Sequence, residues 1–164
     1  MEVVEIASIN FEEYGILYNM NEHVSGKGIV NFSSGDGWKD ANTAIPVIDT
    51  QASLGYTIGS SVPCTVSEME RHQHTQEALF CAGMPIIFLI ASESGSPFTK
   101  AADVKAVILR PGQVVVLHRG VWHSSAHGLC DTTQYYYLAL CYKNEPTGWA
   151  EIEGGPITIE SPQK

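Results

Sequence analysis

The stretch that decides the fold is "PGQVVVLHRGVWHSSAH", residues 111–127. Its Pro-Gly pair is turn chemistry, because proline presets φ and glycine accepts a positive φ. Three valines follow, Val114, Val115 and Val116. A short β-branched run of this kind suits a strand. Gly120 breaks the run, and His123 comes three residues later. The stretch therefore predicts a turn, a strand, a second turn and a histidine delivered just beyond it. A second polar stretch lies far upstream, "ERHQHTQEALFCAG", residues 70–83. The chain between them is apolar and punctuated by turns. A β fold is what that chain needs to bring the two polar stretches to one place.

Outward from this stretch the same pattern repeats. Strand candidates are "AIPVI" (44–48), "GYTIG" (55–59), "CTVSEMERH" (64–72), "MPIIFLIA" (84–91), "VKAVIL" (104–109), "QVVVLH" (113–118) and the aromatic "TQYYYLALCY" (133–142). Val66 and Met69 break strict alternation, which predicts a bulge in the third of these. The apolar run ending at Ala91 reads as a strand buried on both faces. Arg110-Pro111-Gly112 is a hairpin or tight-turn signal between its two flanking strands. Near the start, Asn10 as N-cap with Glu12 and Glu13 in the first turn marks one short helix. Residues 156–160 add an edge strand. Many short strands with Gly and Pro turns and little helix predict a mainly β chain, a jelly-roll β-barrel, with residues 1–164 forming a single domain.

The composition is that of a globular protein: 164 residues, 44% hydrophobic and 16% charged. The net charge is −9, which excludes a nucleic-acid surface, since phosphate binding needs clustered Lys and Arg. A small-molecule ligand is not excluded, because it needs only a local group or two. Cys64, Cys81, Cys130 and Cys141 form no CxxC pair and are expected as reduced, mostly buried thiols. No apolar stretch is long enough to span a bilayer, and the acidic start is unlike a signal peptide. The expectation is a cytoplasmic protein with no membrane partner.

Side chains two apart on a strand share a face, so Glu70 and His72 project together. Glu77 lies beyond a short turn and can return to the same side. With His123 they form a mixed nitrogen/oxygen set that suits one divalent Mn, Fe, Ni or Zn ion. Such an ion with open positions acts as a Lewis acid. The alternative is that these groups line an empty barrel mouth and hydrogen-bond one another. His23 reads as a solvated loop histidine. His118 and His127 read as groups supporting the site or lying on the surface, and Trp122 as a wall or a packing aromatic.

These motifs resemble those of cupins, which show His-x-His, four residues and Glu, then Gly, five residues, Pro-x-Gly, two residues, His, three residues and Asn. In that register His72 and Glu77 take the places of the second histidine and the glutamate, and Glu70 replaces the first histidine. A register using His72 and His74 leaves too short a gap to Glu77. Gly112, Gly120 and His123 keep the second spacing, with His118 for the proline and His127 for the asparagine.

Glu70-Arg71-His72, Glu77 and the segment His118-Arg119-Gly120-Val121-Trp122-His123 further resemble the ureidoglycolate lyase family of small cupins. "EEYG" (12–15) resembles that family's N-terminal element. The resemblance implies cleavage of ureidoglycolate, or a related small hydroxy acid, to glyoxylate and urea in purine catabolism, with metal assistance. His74 is the candidate proton-transfer residue. The chain departs from the family in one respect. The arginine that usually precedes the Glu-Arg-His strand is missing from "IGSSVPCTVS" (58–67), and Arg71 alternates away from the ligand face. The other readings are a different metal cupin, such as a sugar isomerase or oxygenase, and a non-catalytic small-molecule-binding cupin. A homodimer is expected, because small β folds leave sheet edges to cover and Tyr135-Tyr136-Tyr137 puts large side chains on both faces.

Overall fold

The computed structural model of the protein describes residues 1–21, 29–141 and 148–161. In chain order its strands are β1 (Val3–Glu5), β2 (Gly15–Asn19), β3 (Val30–Gly35), β4 (Trp38–Thr43), β5 (Ser53–Gly59), β6 (Cys64–Val66), β7 (Glu68–Met69) and β8 (Glu77–Cys81). They continue with β9 (Ile86–Ala91), β10 (Lys105–Leu109), β11 (Gln113–Leu117), β12 (Trp122–His123), β13 (His127–Gly128), β14 (Thr133–Ala139), β15 (Ala150–Glu151) and β16 (Ile157–Ile159). The helical content among these residues is three single turns of 3-10 helix, one of them Phe11–Glu13 behind Asn10.

Two five-stranded sheets carry the architecture. One runs β1-β10-β9-β12, with β13 also paired to β9; the other runs β2-β11-β8-β14-β5. The chain is mainly β and jelly-roll-like, as expected, but the two sheets face each other without closing into a barrel. Between them lies a core of Phe11, Tyr14, Leu79, Phe88, Ile90, Val107, Leu109, Val115 and Leu117. Arg110-Pro111-Gly112 is a tight turn and not a hairpin. Gln113 N–H donates to the Arg110 carbonyl at 2.9 Å and Gly112 takes φ +86°, while the flanking β10 and β11 enter different sheets.

β9 is buried on both faces because the chain covers its own first sheet. Ile87, Leu89, Ala106 and Ile108 point outward and are covered by Val66, Met69, Ile152, Ile157 and Ile159. These come from two ribbons, β6 with β16 and β7 with β15. The predicted strand 64–72 is therefore split at Ser67, and its halves join different ribbons. Residues 44–48 are bends and not a strand: Pro46 lacks an N–H, and Thr43 donates locally to the Ile45 carbonyl at 2.7 Å. Ile48 still packs on the second sheet, against Tyr18, Ala78 and Val116. The aromatic strand ends at Ala139, and Tyr142 lies outside the described residues, as does His23. All four cysteines are free thiols, but only Cys81 is buried, and Cys130 and Cys141 are exposed.

Candidate metal centre

Each side chain of the site is delivered by a backbone device. Glu77 opens β8, in register with Leu117 of β11, and shares the inward face with Leu79 and Cys81. His123 belongs to β12, paired with Ile90. Glu70 is locked to His123 by two backbone hydrogen bonds, Glu70 N–H to His123 O at 2.8 Å and His123 N–H to Glu70 O at 2.9 Å. His72 follows, and its carbonyl accepts from Gly120 N–H at 2.9 Å. Gly120 has φ +79°, and a Cβ there would meet Glu93 Cγ at 2.5 Å. The glycine that broke the valine run is thus needed for the turn that joins the two polar stretches.

The four groups meet between the sheets. Ligand atoms of Glu70, His72 and His123 lie within 4.8 Å of one another. His72 Nε2 lies 2.7 Å from Glu77 Oε2 and 3.9 Å from Glu70 Oε2. His123 Nε2 lies 3.3 Å from Glu77 Oε2 and 3.8 Å from Glu70 Oε1. His123 Nδ1 is 3.1 Å from the Val121 carbonyl, which can only accept, so Nδ1 carries the hydrogen. In the neutral ring the lone pair then sits on Nε2 and faces the carboxylates. That Nε2 is buried and makes no hydrogen bond.

The electrostatics ask for a positive charge at the centre. Burial alone would lower the His123 pKa, yet the facing Glu77 and Glu70 carboxylates raise it above its ordinary value. Burial resists ionisation of Glu77, but the close approach of His123 and His72 pulls its pKa down to about 2. Glu70, less closely paired, is pushed up by burial. A buried and a half-buried carboxylate against two imidazoles can be balanced by protons or by a divalent cation. The donor set, the fixed Nδ1 hydrogen and the unpartnered Nε2 fit a transition-metal ion. The neighbouring cavity has a volume of about 330 Å³.

His74 opens on the same cavity but stands outside the three-residue cluster. Its Nε2 donates to the Leu140 carbonyl at 2.9 Å, while Thr75 Oγ accepts from Leu140 N–H at 3.1 Å. The loop holding His72 and His74 is thus fastened to both polar groups of one β14-flanking residue. Thr75 was not legible as a site residue, because nothing in its spacing marks it. Tyr135 and Tyr137 also line the cavity, as do Thr57, Ser125 and Trp149. A Cβ on Gly55 would fall 2.1 Å from Tyr137 Cζ, so the glycine gives that ring its place.

Other sequence candidates lie elsewhere. His118 is exposed, and half-buried His127 pairs with Ser60 at 3.2 Å. Trp122 is packed in the outer cluster of the first sheet and is not a cavity wall. Arg71 does point away: its guanidinium lies 4.4 Å from the Trp122 ring centroid. Arg119 is bidentate to Asp49 and Arg110 pairs with Glu5. Among the described residues no Arg or Lys lines the cavity.

Two facing sheets with this cluster between them are jelly-roll-like, the arrangement that the cupin resemblance implied. The sequence model of the ureidoglycolate lyase family matches residues 2–148, and the chain belongs to that family. No curated relative matches it. Among solved structures, it is similar to dTDP-4-dehydrorhamnose 3,5-epimerase from Bacillus anthracis, at 13% identity and TM-score 0.46 over 70% of this chain and 71% of that one. The corresponding epimerase from Elizabethkingia anophelis gives 10% identity and TM-score 0.45 over 71% and 68%. RmlC from Streptococcus suis, in complex with dTDP-D-xylose, gives 11% identity and TM-score 0.43 over 57% of this chain. The match spans 46% of that protein's length. No helix among the described residues is long and apolar enough to cross a membrane.

Proposed function

We propose that this protein is a metal-assisted lyase that cleaves ureidoglycolate, or a closely related small hydroxy acid, to glyoxylate and urea. The observation that carries the reading is the convergence of Glu70, His72 and His123, with Glu77 against both imidazoles, in a chain of the ureidoglycolate lyase family. Glu70, His72, Glu77 and His123 would hold the ion. When bound, a divalent cation would supply Lewis acidity and the positive charge that the cavity's described residues lack.

The protein's own groups do the rest. His74 lines the cavity, and its Nε2–H donates to the Leu140 carbonyl, which holds the ring in place. It takes the substrate hydroxyl proton as the carbon–nitrogen bond breaks and the carbonyl forms. The same proton returns to the departing urea nitrogen, so the reaction balances without an added acid. Tyr135 and Tyr137 present phenols to the cavity, and burial raises the pKa of both, which keeps them neutral hydrogen-bond donors.

The missing arginine bears on substrate. One lost charge-assisted contact weakens binding by about 1.5–3 kcal/mol, or roughly ten- to over a hundredfold. The reading is tested by following glyoxylate release from ureidoglycolate, with and without chelator, beside a panel of hydroxy acids and neutral sugars. Turnover of ureidoglycolate or another hydroxy acid that disappears with chelator supports it. Turnover indifferent to chelator removes the metal role, and turnover of sugars alone replaces the lyase with an isomerase.

A further inference from the structure

The two chain segments that bring the ligands together also have a back. Glu70 and His123 form an antiparallel bridge, each N–H donating to the other's carbonyl. Side chains alternate along such segments, so Glu70, His72 and His123 face the cavity while Arg71 and Trp122 meet on the opposite side. There the Arg71 guanidinium lies 4.4 Å from the Trp122 ring centroid. Trp122 is 1% exposed and belongs to the outer cluster of Met69, Leu89 and Ala91. The ring therefore has a fixed place on the first sheet, and whatever stacks on it is fixed too.

Arg71 differs from the other two arginines. Arg110 pairs with Glu5 and Arg119 with Asp49. Among the described residues Arg71 pairs with no carboxylate, and its Nη1 is buried without a hydrogen bond. The face of the indole is thus the group that holds its charge. Its backbone is held as well, since Arg71 N–H donates to the Gly148 carbonyl at 3.3 Å.

We infer that Arg71 is a positioning residue. Its stack on Trp122 clamps the back of the Glu70–His123 bridge and so sets the register at which Glu70, His72 and His123 converge. The join it clamps is short. Beyond the two bonds of the bridge, Gly120 N–H donates to the His72 carbonyl. So short a pairing is marginal alone and needs a cross-strand side-chain contact. The front cannot supply one without help, because it presents carboxylates and imidazoles that await a cation. The back supplies an attraction that needs no ion. The ligands are then in place before a cation arrives, which lowers the ordering cost of binding it. The part of this inference that concerns affinity rests on the reading of the centre as a metal site.

Amide hydrogen exchange on the metal-free full chain tests the clamp directly. The Glu70 and His123 N–H groups are expected to exchange roughly five- to thirtyfold faster in Arg71→Met than in the wild type. The N–H groups of β8 and β11, in the other sheet, should keep their wild-type rates. Arg71→Lys, which keeps a cation above the ring, should fall between the two. Metal titration gives a second readout. Arg71→Met should weaken Co²⁺ affinity at least roughly tenfold and change the visible absorption of the bound ion, which reports how its ligands are arranged. Exchange at Glu70 and His123 that is unchanged or slower would overturn the inference. So would equal acceleration in both sheets, which is a general loss of stability, or faster exchange with Co²⁺ affinity and spectrum as in the wild type. A wild type that takes up no metal would instead remove the metal reading, and the exchange rates would still decide the clamp.

Discussion

Along β14 successive tyrosines live in different worlds. Tyr135 and Tyr137 face a cavity that ends in two carboxylates and two imidazoles, while Tyr136 lies outside, stacked on Phe80. The inner face is polar at one end and held by hydrogen bonds. Ala126 N–H donates to the Tyr135 hydroxyl at 3.1 Å, and Leu140 is gripped by His74 and Thr75. On the outer face Gln134 donates to the Tyr136 hydroxyl at 2.9 Å, and the largest side chains are exposed at β5. The difference teaches that alternation serves two purposes at once here. One set of side chains lines the cavity and the other lies outside it, on the same seven-residue strand.

If the two faces are separate in function, substitutions on one should leave the other untouched. The largest effect belongs to the inner face. His74→Gln should lower kcat about 100- to 10,000-fold, while metal content and sedimentation stay as in the wild type. Steady-state kinetics and a metal assay on the same sample check this, and a parallel loss of metal would make His74 a ligand instead. The next effect is on stability. In chelator, Glu77 has a folded pKa of about 2, below its ordinary 4.5. Its stabilisation is present above the unfolded value and is lost as pH falls from about 4.5 to about 2. The loss is up to about 3 kcal/mol. Denaturant melts of wild type and Glu77→Gln across that window should diverge above it and converge below it. The smallest effect crosses between the faces. The Tyr56→Lys, Ile58→Lys variant should bind metal with wild-type stoichiometry and keep the wild-type kcat, read by a metal assay and steady-state kinetics. Metal lost in the variant would show that the faces are coupled more tightly than the strand alone requires.

Much of this was readable from the sequence. The Pro-Gly turn, the valine strand and Gly120 reported their local structure because each rests on φ preference and side-chain branching. Glu70, His72 and His123 were legible from spacing, since a period of two fixes which side chains share a face. Other features were hidden because they depend on partners distant in the chain. Residues 44–48 look like a strand by composition, but after Ala44, whose N–H donates to the Ile29 carbonyl at 2.9 Å, they pair with no strand among the described residues, and Pro46 has no donor. Thr75 positions the site through the backbone of Leu140, 65 residues away. The sheets' failure to close, and the ribbons that bury β9 from outside, follow from pairings that no local window contains. The thiols were expected to be mostly buried, yet Cys130 and Cys141 are exposed, because a short apolar neighbourhood does not determine which side of a turn faces water.

The account stands on a cation at the centre of Glu70, His72, Glu77 and His123. The most direct test is elemental mass spectrometry on untagged protein after supplementation with Mn, Fe, Co, Ni and Zn, beside His123→Ala. The account predicts about one divalent ion per chain, and more than roughly a hundredfold weaker affinity in the variant, beyond the cost of supporting groups alone. Less than about a tenth of an equivalent in the wild type would contradict it, because one intact ligand set per chain must fill to near stoichiometry when metal is in excess.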